Sequence, residues 1–566
     1  MKKSLSGLNT REEFAKAYDI PLQKMTYILY KQNPNCYYTT FTIPKKYGGE
    51  REINAPFGEL RDIQRKIAKK LYKYYYEELN IKTNIAHAFI KEKSFITNAE
   101  IHKNKRLIIN LDLQDFYPSI NFGRVRGFFE KNKNFLYSRD VATIMAQLTC
   151  YKGCLPQGAC TSPIISNLIA SILDQRILLI SKRYKCNYSR YADDLTFSSN
   201  NTMFYEQKDR FLEEIKSEIE NFGCKVNDLK TNIQNKESRQ IVTGIVVNKK
   251  LNINAIYYKE TRAMIENLYK NKEIFIDGQV GTISQLEGRL SYINQLSKFN
   301  NNGDKTGAKH NFYNLSAREI QYQKFLVYKY FFNSDSPIIV TEGKTDIAYI
   351  KAALMNLVDK YPNLVKKKND KFIFNIKFLK RTRRLEYFLN ISKDGADALK
   401  SIYQFYTGEN RHINYYKKYS QHCMSEFPVI LMFDNETKSK DKPLKKFIDS
   451  MGAQKVILKD IDKQQKKQLL KDSNLYLLTH KLAKDQDESE IEDLFDKKTL
   501  DVEINGKTFN RCTTKNNNDK FFSKEIFSKY VLENYKTINF DGFRAILDNI
   551  TNIINETKSR YDKNKQ

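Results

Sequence analysis

At 566 residues the chain is too long for one ordinary core, and roughly two to four domains are expected. A hydrophobic fraction of 41% excludes a chain too polar to pack, and 96 basic against 66 acidic residues give a formal charge of +30, which suits a partner carrying many phosphates. The same abundance of Lys, Asn, Ile and Tyr is what base-composition bias would produce, so charge alone does not decide for nucleic acid. Eight cysteines stand at 36, 150, 154, 160, 186, 224, 423 and 512. None forms a CxxC pair and no His lies near enough in sequence to Cys150, Cys154 and Cys160 to suggest zinc, so reduced thiols in a cytoplasmic protein are expected. The start, MKKSLSGLNTREEF, lacks an apolar core, and no uninterrupted apolar run reaches bilayer length, which predicts a soluble protein with no membrane partner.

In chain order, TREEFAKAYDI and ELRDIQRKIAKKLYKYYYEEL read as helices on either side of a strand pair around FTIPKKYGGEREINAP, with Gly48-Gly49 as its turn. From Arg106 to Gly244 strands and helices alternate. Leu251 to about Tyr330 is mainly helical, interrupted by the polar NNNGDKTGAKH. A second α/β pattern begins at SPIIVTEGKTD and runs to about Leu500. A strand-like DVEINGKTFN and further helices follow.

The run RLIINLDLQDFYPSI delivers Asp112 near the end of an apolar strand. YSRYADDLTFSS places Asp193 and Asp194 side by side at a hairpin tip, where Asp is also a common turn residue. If strand and hairpin are neighbours, three carboxylates converge. Such a group is costly unless cations neutralise it, and hard oxygen donors favour magnesium. Two ions there would activate an attacking hydroxyl and stabilise departing pyrophosphate.

These stretches resemble the palm of a reverse transcriptase. LDLQDFYPSI resembles its first palm motif, with Asp112 as metal ligand and Tyr117 at the position that polices the sugar 2′-hydroxyl. LPQGACTSPIISNLI resembles its PQG motif, with Gln157 and Gly158 admitting template and nucleotide to the backbone, and YADD resembles its catalytic hairpin. FGCKVNDLKT resembles the next motif and implies Lys230 as proton donor to the leaving group. KKYGGEREI resembles the fingers hairpin, with Lys45, Lys46 and Arg51 on phosphates. Two further stretches resemble retron elements: Asn98, Ala99 and His102 form NAxxH, and Val242-Thr243-Gly244 forms VTG. The resemblance implies deoxynucleoside triphosphates as substrates and a bound noncoding RNA that primes from its own 2′-hydroxyl. It also implies an RNA–DNA product and a host ribonuclease H for template removal. A group II intron maturase is the alternative within the class.

PIIVTEGKTD is no phosphate loop, because Ile338 stands where the first glycine is required. It reads as a buried strand ending in Glu342, with Asp346 one helical turn on. FPVILMFDNET again ends in acid, Asp434 and Glu436, which share a face if the chain is extended, and SEIEDLF supplies Glu492. Acids at the carboxyl ends of parallel strands line the crevice where such sheets bind ligands. The order resembles a TOPRIM domain of the OLD-family nuclease kind. That resemblance implies Glu342, Asp346, Asp434, Glu436 and Glu492 as ligands for Mg2+ or Mn2+, and Gly395 in the turn between the two strands. Its usual DxD reads Asp434-Asn435-Glu436 here.

The expected fold is therefore multidomain, α+β and α/β: a right-hand polymerase of fingers, palm and helical thumb, then a Rossmann-like TOPRIM domain. The expected limits are 1–245 for fingers and palm, 246–333 for an RNA-binding thumb, 334–500 for TOPRIM, and 501–566 for an extension without an assigned role. The implied function is retron-type reverse transcription with a fused nuclease effector in anti-phage defence, the alternative being a TOPRIM part that only docks. A nucleic-acid target of that domain and a homo-oligomer are the remaining expected partners.

Overall fold

The computed structural model describes residues 4–45, 48–302, 311–392, 395–410, 412–419, 425–451, 454–483, 486–511 and 520–563. The chain divides into two compact units, Met1–Tyr257 and Tyr258–Gln566.

In the first unit, β1 (Tyr38–Pro44) and β2 (Glu50–Pro56) form the expected hairpin. It turns through Gly48 and Gly49 at φ 93° and 78°, a region that glycine enters freely. Helix α1 (Phe95–Ile101) starts from a Ser94 capping box. The central sheet is antiparallel around β3 (Leu107–Gln114), flanked by β5 (Asp194–Ser199) on one side and by β6 (Lys225–Val226) and β7 (Asn232–Asn235) on the other. β4 (Asn187–Tyr191) pairs with β5 at the edge, and β8 (Ile241–Val242) pairs with β9 (Ile245–Val246) separately. Helix α2 (Ser162–Arg183) is the one described helix long and apolar enough to cross a membrane by length and composition. Ile164, Ile165, Leu168, Leu173 and Ile177 are nevertheless wholly buried in the core of the unit, and buried Asp174 interrupts the run.

The second unit is built on a five-stranded sheet. Strands β10 (Ile338–Thr341), β11 (Lys377–Phe378), β12 (Val429–Met432) and β14 (Leu475–Leu478) run parallel in the order β11-β10-β12-β14. β13 (Lys466–Gln468) closes one edge antiparallel to β14. Every residue of β10, β12 and β14 is buried, the pattern of a sheet covered on both faces. Alternate side chains show what covers each face. Val340, Val429 and Leu475 share a core with Leu286, Leu290, Phe325 and Tyr328 from the helical segment expected as a thumb. Ile339, Ile430 and Leu478 share another with Phe527, Phe543 and Leu547 from the carboxyl-terminal extension. Both flanking segments are therefore built into the sheet's own unit.

Candidate functional sites

The first acidic site follows from strand register. Asp112 lies directly opposite Asp194 across β3 and β5, and the Leu113 N–H donates to the Asp193 carbonyl at 3.0 Å. β6 pairs with Leu113 and Gln114, which brings the turn after it to the same edge. From that turn Lys230 Nζ donates to both carboxylate oxygens of Asp112, at 3.0 and 3.1 Å. Burial pushes Asp194 up to about 7, and the neighbouring charges of Asp193 and Asp112 add to it. Asp193 is also raised, chiefly by burial and then by Asp112, against the opposing fields of Lys230 and Arg51. The hydroxyl of Tyr117 is pushed up to about 12 by burial and by nearby Asp193. Two carboxyls raised by burial and by neighbouring carboxylates, beside a third bonded to an ammonium, are what an oxygen-donor cluster short of positive charge shows. Among the described residues, no three His, Cys, Asp or Glu side chains stand closed around a common point. The donor set itself, carboxylate oxygen throughout, is of the kind magnesium takes.

The base of the Tyr38–Pro56 hairpin is pinned to the loop that carries Gln157 and Gly158. The Asn54 N–H donates to the Gln157 carbonyl at 2.7 Å. Gly158 has φ +116°, and a β-carbon there would meet Ile53 Cγ2 at 2.9 Å and the Asn54 carbonyl at 3.0 Å, so only glycine fits the approach. Lys45 and Arg51 are exposed on the hairpin, and Lys46 lies outside the described residues. The retron-type elements do not line the acidic edge. His102 is fully buried, its two ring nitrogens 2.7 Å from Ser198 Oγ and Ser189 Oγ, and Ser189 donates to Asn98 Oδ1 at 2.7 Å. Thr243, at φ 46° beside Gly244 at 82° and buried Val242, donates its hydroxyl to the Phe95 carbonyl at 2.9 Å. The first motif thus holds α1 against β4 and β5, the strands on either side of the aspartate turn, and the second ties α1 to the turn between β8 and β9.

The second acidic site sits at the carboxyl ends of β10 and β12. The Asp434 N–H donates to Glu342 Oε1 at 3.1 Å, Asp346 caps the Gly343 N–H at 2.9 Å, and the Ile491 N–H donates to Asp434 Oδ1 at 2.9 Å. Glu342 is pushed up to about 8 by burial and by Asp434, and Asp346 to about 7 by burial, Asp434 and Glu492. The condition under which Asp434 and Glu436 would share a face, an extended chain, is not met. The Glu436 N–H folds back onto the Asp434 carbonyl at 3.0 Å, and the Glu436 carboxylate pairs with Lys442. Gly395 takes φ +88°, as a turn requires, with its carbonyl accepting from Arg381 at 2.7 Å.

Sequence reading missed several groups here. Lys524, from the extension, reaches Glu490 at 3.0 Å and fully buried Glu492 at 3.1 Å, and Arg511 pairs with Glu490 and Asp493. His480 is buried and takes the Asn435 N–H on Nε2 at 3.2 Å. No local spacing signals these long-range partners. In the first unit the missed pair is Arg190 and Asp174, both buried; Asp174 closes the apolar run that precedes it in its helix, but nothing local to Arg190 marks it as buried.

Residues 43–279 match the family model described as reverse transcriptase (RNA-dependent DNA polymerase). The retron Ec86 reverse transcriptase of Escherichia coli is 31% identical over 306 residues, covering 52% of this chain and 91% of that protein. The retron Mx162 reverse transcriptase of Myxococcus xanthus is 30% identical over 325 residues, covering 51% of this chain and 64% of that one. Among solved structures, a telomerase from Candida albicans in complex with a fragment of telomeric RNA matches 52% of this chain and 60% of its own at 12% identity, with a TM-score of 0.31. The chain belongs to the retron reverse transcriptase family.

Proposed function

We propose that the protein is an RNA-directed DNA polymerase of retron type, which copies part of a bound noncoding RNA into a branched RNA–DNA product. The observation that carries this reading is the register of Asp112 against Asp194, with Asp193 adjacent and Lys230 on Asp112. Asp112, Asp193 and Asp194 would hold magnesium, which supplies Lewis acidity for attack by the primer hydroxyl on a deoxynucleoside triphosphate and for pyrophosphate departure. Lys230 would give a proton to the leaving group. Arg51 and Lys45 supply positive charge for phosphates from the fingers hairpin. The test is the nucleic acid that copurifies with the protein from a host carrying its locus. Ribonuclease-treated wild-type material yields DNA still bearing a branched ribonucleotide, and material from Asp193→Asn with Asp194→Asn yields RNA alone. DNA of equal amount and sequence with the double variant contradicts the reading.

For the second unit we read a TOPRIM-type, metal-dependent nuclease, in which Glu342, Asp346, Asp434, Glu436 and Glu492 hold Mg2+ or Mn2+ and the RNA–DNA product restrains cleavage until infection damages it. The burial that raises Glu342 to about 8 and Asp346 to about 7 supports it, since buried acids of that kind cluster at functional sites. One observation favours the docking reading instead: Lys442 and Lys524 already neutralise Glu436 and Glu492. Removal of the product from purified protein decides. Cleavage of nucleic acid by wild type but not by Glu342→Gln, with manganese or magnesium supplied, upholds the nuclease. Silence of both across single- and double-stranded substrates upholds docking.

A further inference from the structure

Directly under the turn that carries Asp193 and Asp194 lies a charge with no access to water. Arg190 is 0% exposed, and its guanidinium forks onto Asp174 of α2, Nε to Oδ1 and Nη2 to Oδ2, both at 2.8 Å. The third nitrogen, Nη1, donates to Asn167 Oδ1 and to the Ala192 carbonyl, each at 3.1 Å. Tyr188 OH completes the shell of Asp174 at 2.8 Å. The backbone of Arg190 is fixed as well, its N–H on the Ile85 carbonyl at 2.8 Å and its carbonyl accepting from the His87 N–H at 2.9 Å.

Ala192, whose carbonyl this arrangement holds, has φ 57°, the left-handed region in which a β-carbon crowds the following carbonyl. The strained residue immediately precedes the two aspartates. A buried ion pair is a poor source of net stability, because desolvation offsets the attraction, so its use here is better sought in what it fixes. Most of the guanidinium's bonds run to helix α2 and one runs to the turn. Helix α2 therefore dictates where the turn stands.

We propose that Arg190, locked to Asp174, is a positioning residue for polymerisation: it holds Ala192 in its strained conformation and thereby sets where the Asp193 and Asp194 carboxylates stand. This rests on the polymerase reading above. Arg190 acts through the turn and touches no reacting atom.

The test uses the full chain, single-nucleotide incorporation on an RNA template, thermal unfolding and amide hydrogen exchange. Ala192→Gly leaves the ion pair intact and relieves the strain. Its unfolding midpoint is expected to stay or rise, while kcat falls roughly 10-fold or more with nucleotide KM within about 3-fold. Amides 191–194 are expected to exchange roughly 10-fold faster, with α2 unchanged. Arg190→Lys keeps the charge against Asp174 but not the fork, and is expected to show a larger fall of kcat with the same split. If Arg190→Lys does not fold, Ala192→Gly decides alone. Wild-type rate and wild-type exchange in Ala192→Gly overturn the positioning role while leaving the polymerase reading intact. A wild type that incorporates no nucleotide overturns the polymerase reading and the positioning role with it.

Discussion

At the scale of single residues, buried ionisable groups make opposite demands on pH. His102 between Ser189 and Ser198 is lowered to about 3, by burial first and then by the charge of Lys105, from 6.5 in an open chain. Below 6.5 the unfolded chain binds a proton that the folded one refuses, so this contribution to stability is present above 6.5 and lost as pH falls. At ~1.36 kcal/mol per unit the loss between pH 6.5 and 5 is about 2 kcal/mol. His102→Gln should be less stable than wild type at pH 7.5, with the gap narrowing by about that amount at pH 5 in denaturant titrations. Glu342 runs the other way. Its folded value of about 8 lies above that of an open chain, so stability present at low pH is lost as pH rises from about 4 through 8. Without divalent metal, Glu342→Gln should therefore raise the unfolding free energy at pH 8 by on the order of a few kcal/mol, seen as a higher midpoint, and change little at pH 4. A midpoint lowered equally at both pH values would show that the carboxylate is satisfied as it stands.

At the scale of elements, the site depends on small hairpins and turns held at their bases. Gly158 lets the PQG loop touch the fingers hairpin, and Gly158→Ala would press a β-carbon onto Ile53 and the Asn54 carbonyl while straining φ. A cost of about 1–3 kcal/mol is expected, together with loss of nucleotide affinity greater than loss of metal affinity, read from thermal unfolding and nucleotide titration. Elements of this kind were legible in the sequence. The apolar run ending in Asp112, the YADD turn and the Gly48-Gly49 hairpin announce themselves by alternation and turn chemistry within a dozen residues. The course of Asp434 to Glu436 was not. Its fold-back depends on neighbours such as His480, which holds the Asn435 N–H, and on the Ser489 bridge, both far along the chain. His102 was legible as a motif member only, because its serine partners come from two other strands.

At the scale of the whole molecule, each unit has its own core, and the helical segment after Tyr257 belongs to the second. Helical periodicity showed that these residues form helices but not which sheet they cover, because a helix's apolar stripe does not name its partner. The extension is equally committed. Phe527, Val531, Phe543, Leu547, Ile550 and Ile553 are 0% exposed, and each burial is worth about 1.5–3 kcal/mol. Their sum is comparable to the ~5–15 kcal/mol that stabilises a whole domain. A fragment 258–566 should fold by circular dichroism and unfold cooperatively, whereas 334–566 and 258–500 should aggregate or bind hydrophobic dye. Cooperative unfolding of 334–566 would show that the helices before it are dispensable.

The central claim is that three carboxylates brought together by the register of β3 and β5 carry out RNA-templated DNA synthesis. Its most direct measurement is extension of a primer on an RNA template by purified protein with magnesium and deoxynucleoside triphosphates. Wild type should extend the primer. Asp193→Asn with Asp194→Asn, folded to the same unfolding midpoint or higher, should show no extension above background, because under the proposed reading it removes the ligands of a two-ion site, a loss of several kcal/mol of barrier. Extension by the double variant at near the wild-type rate would contradict the account.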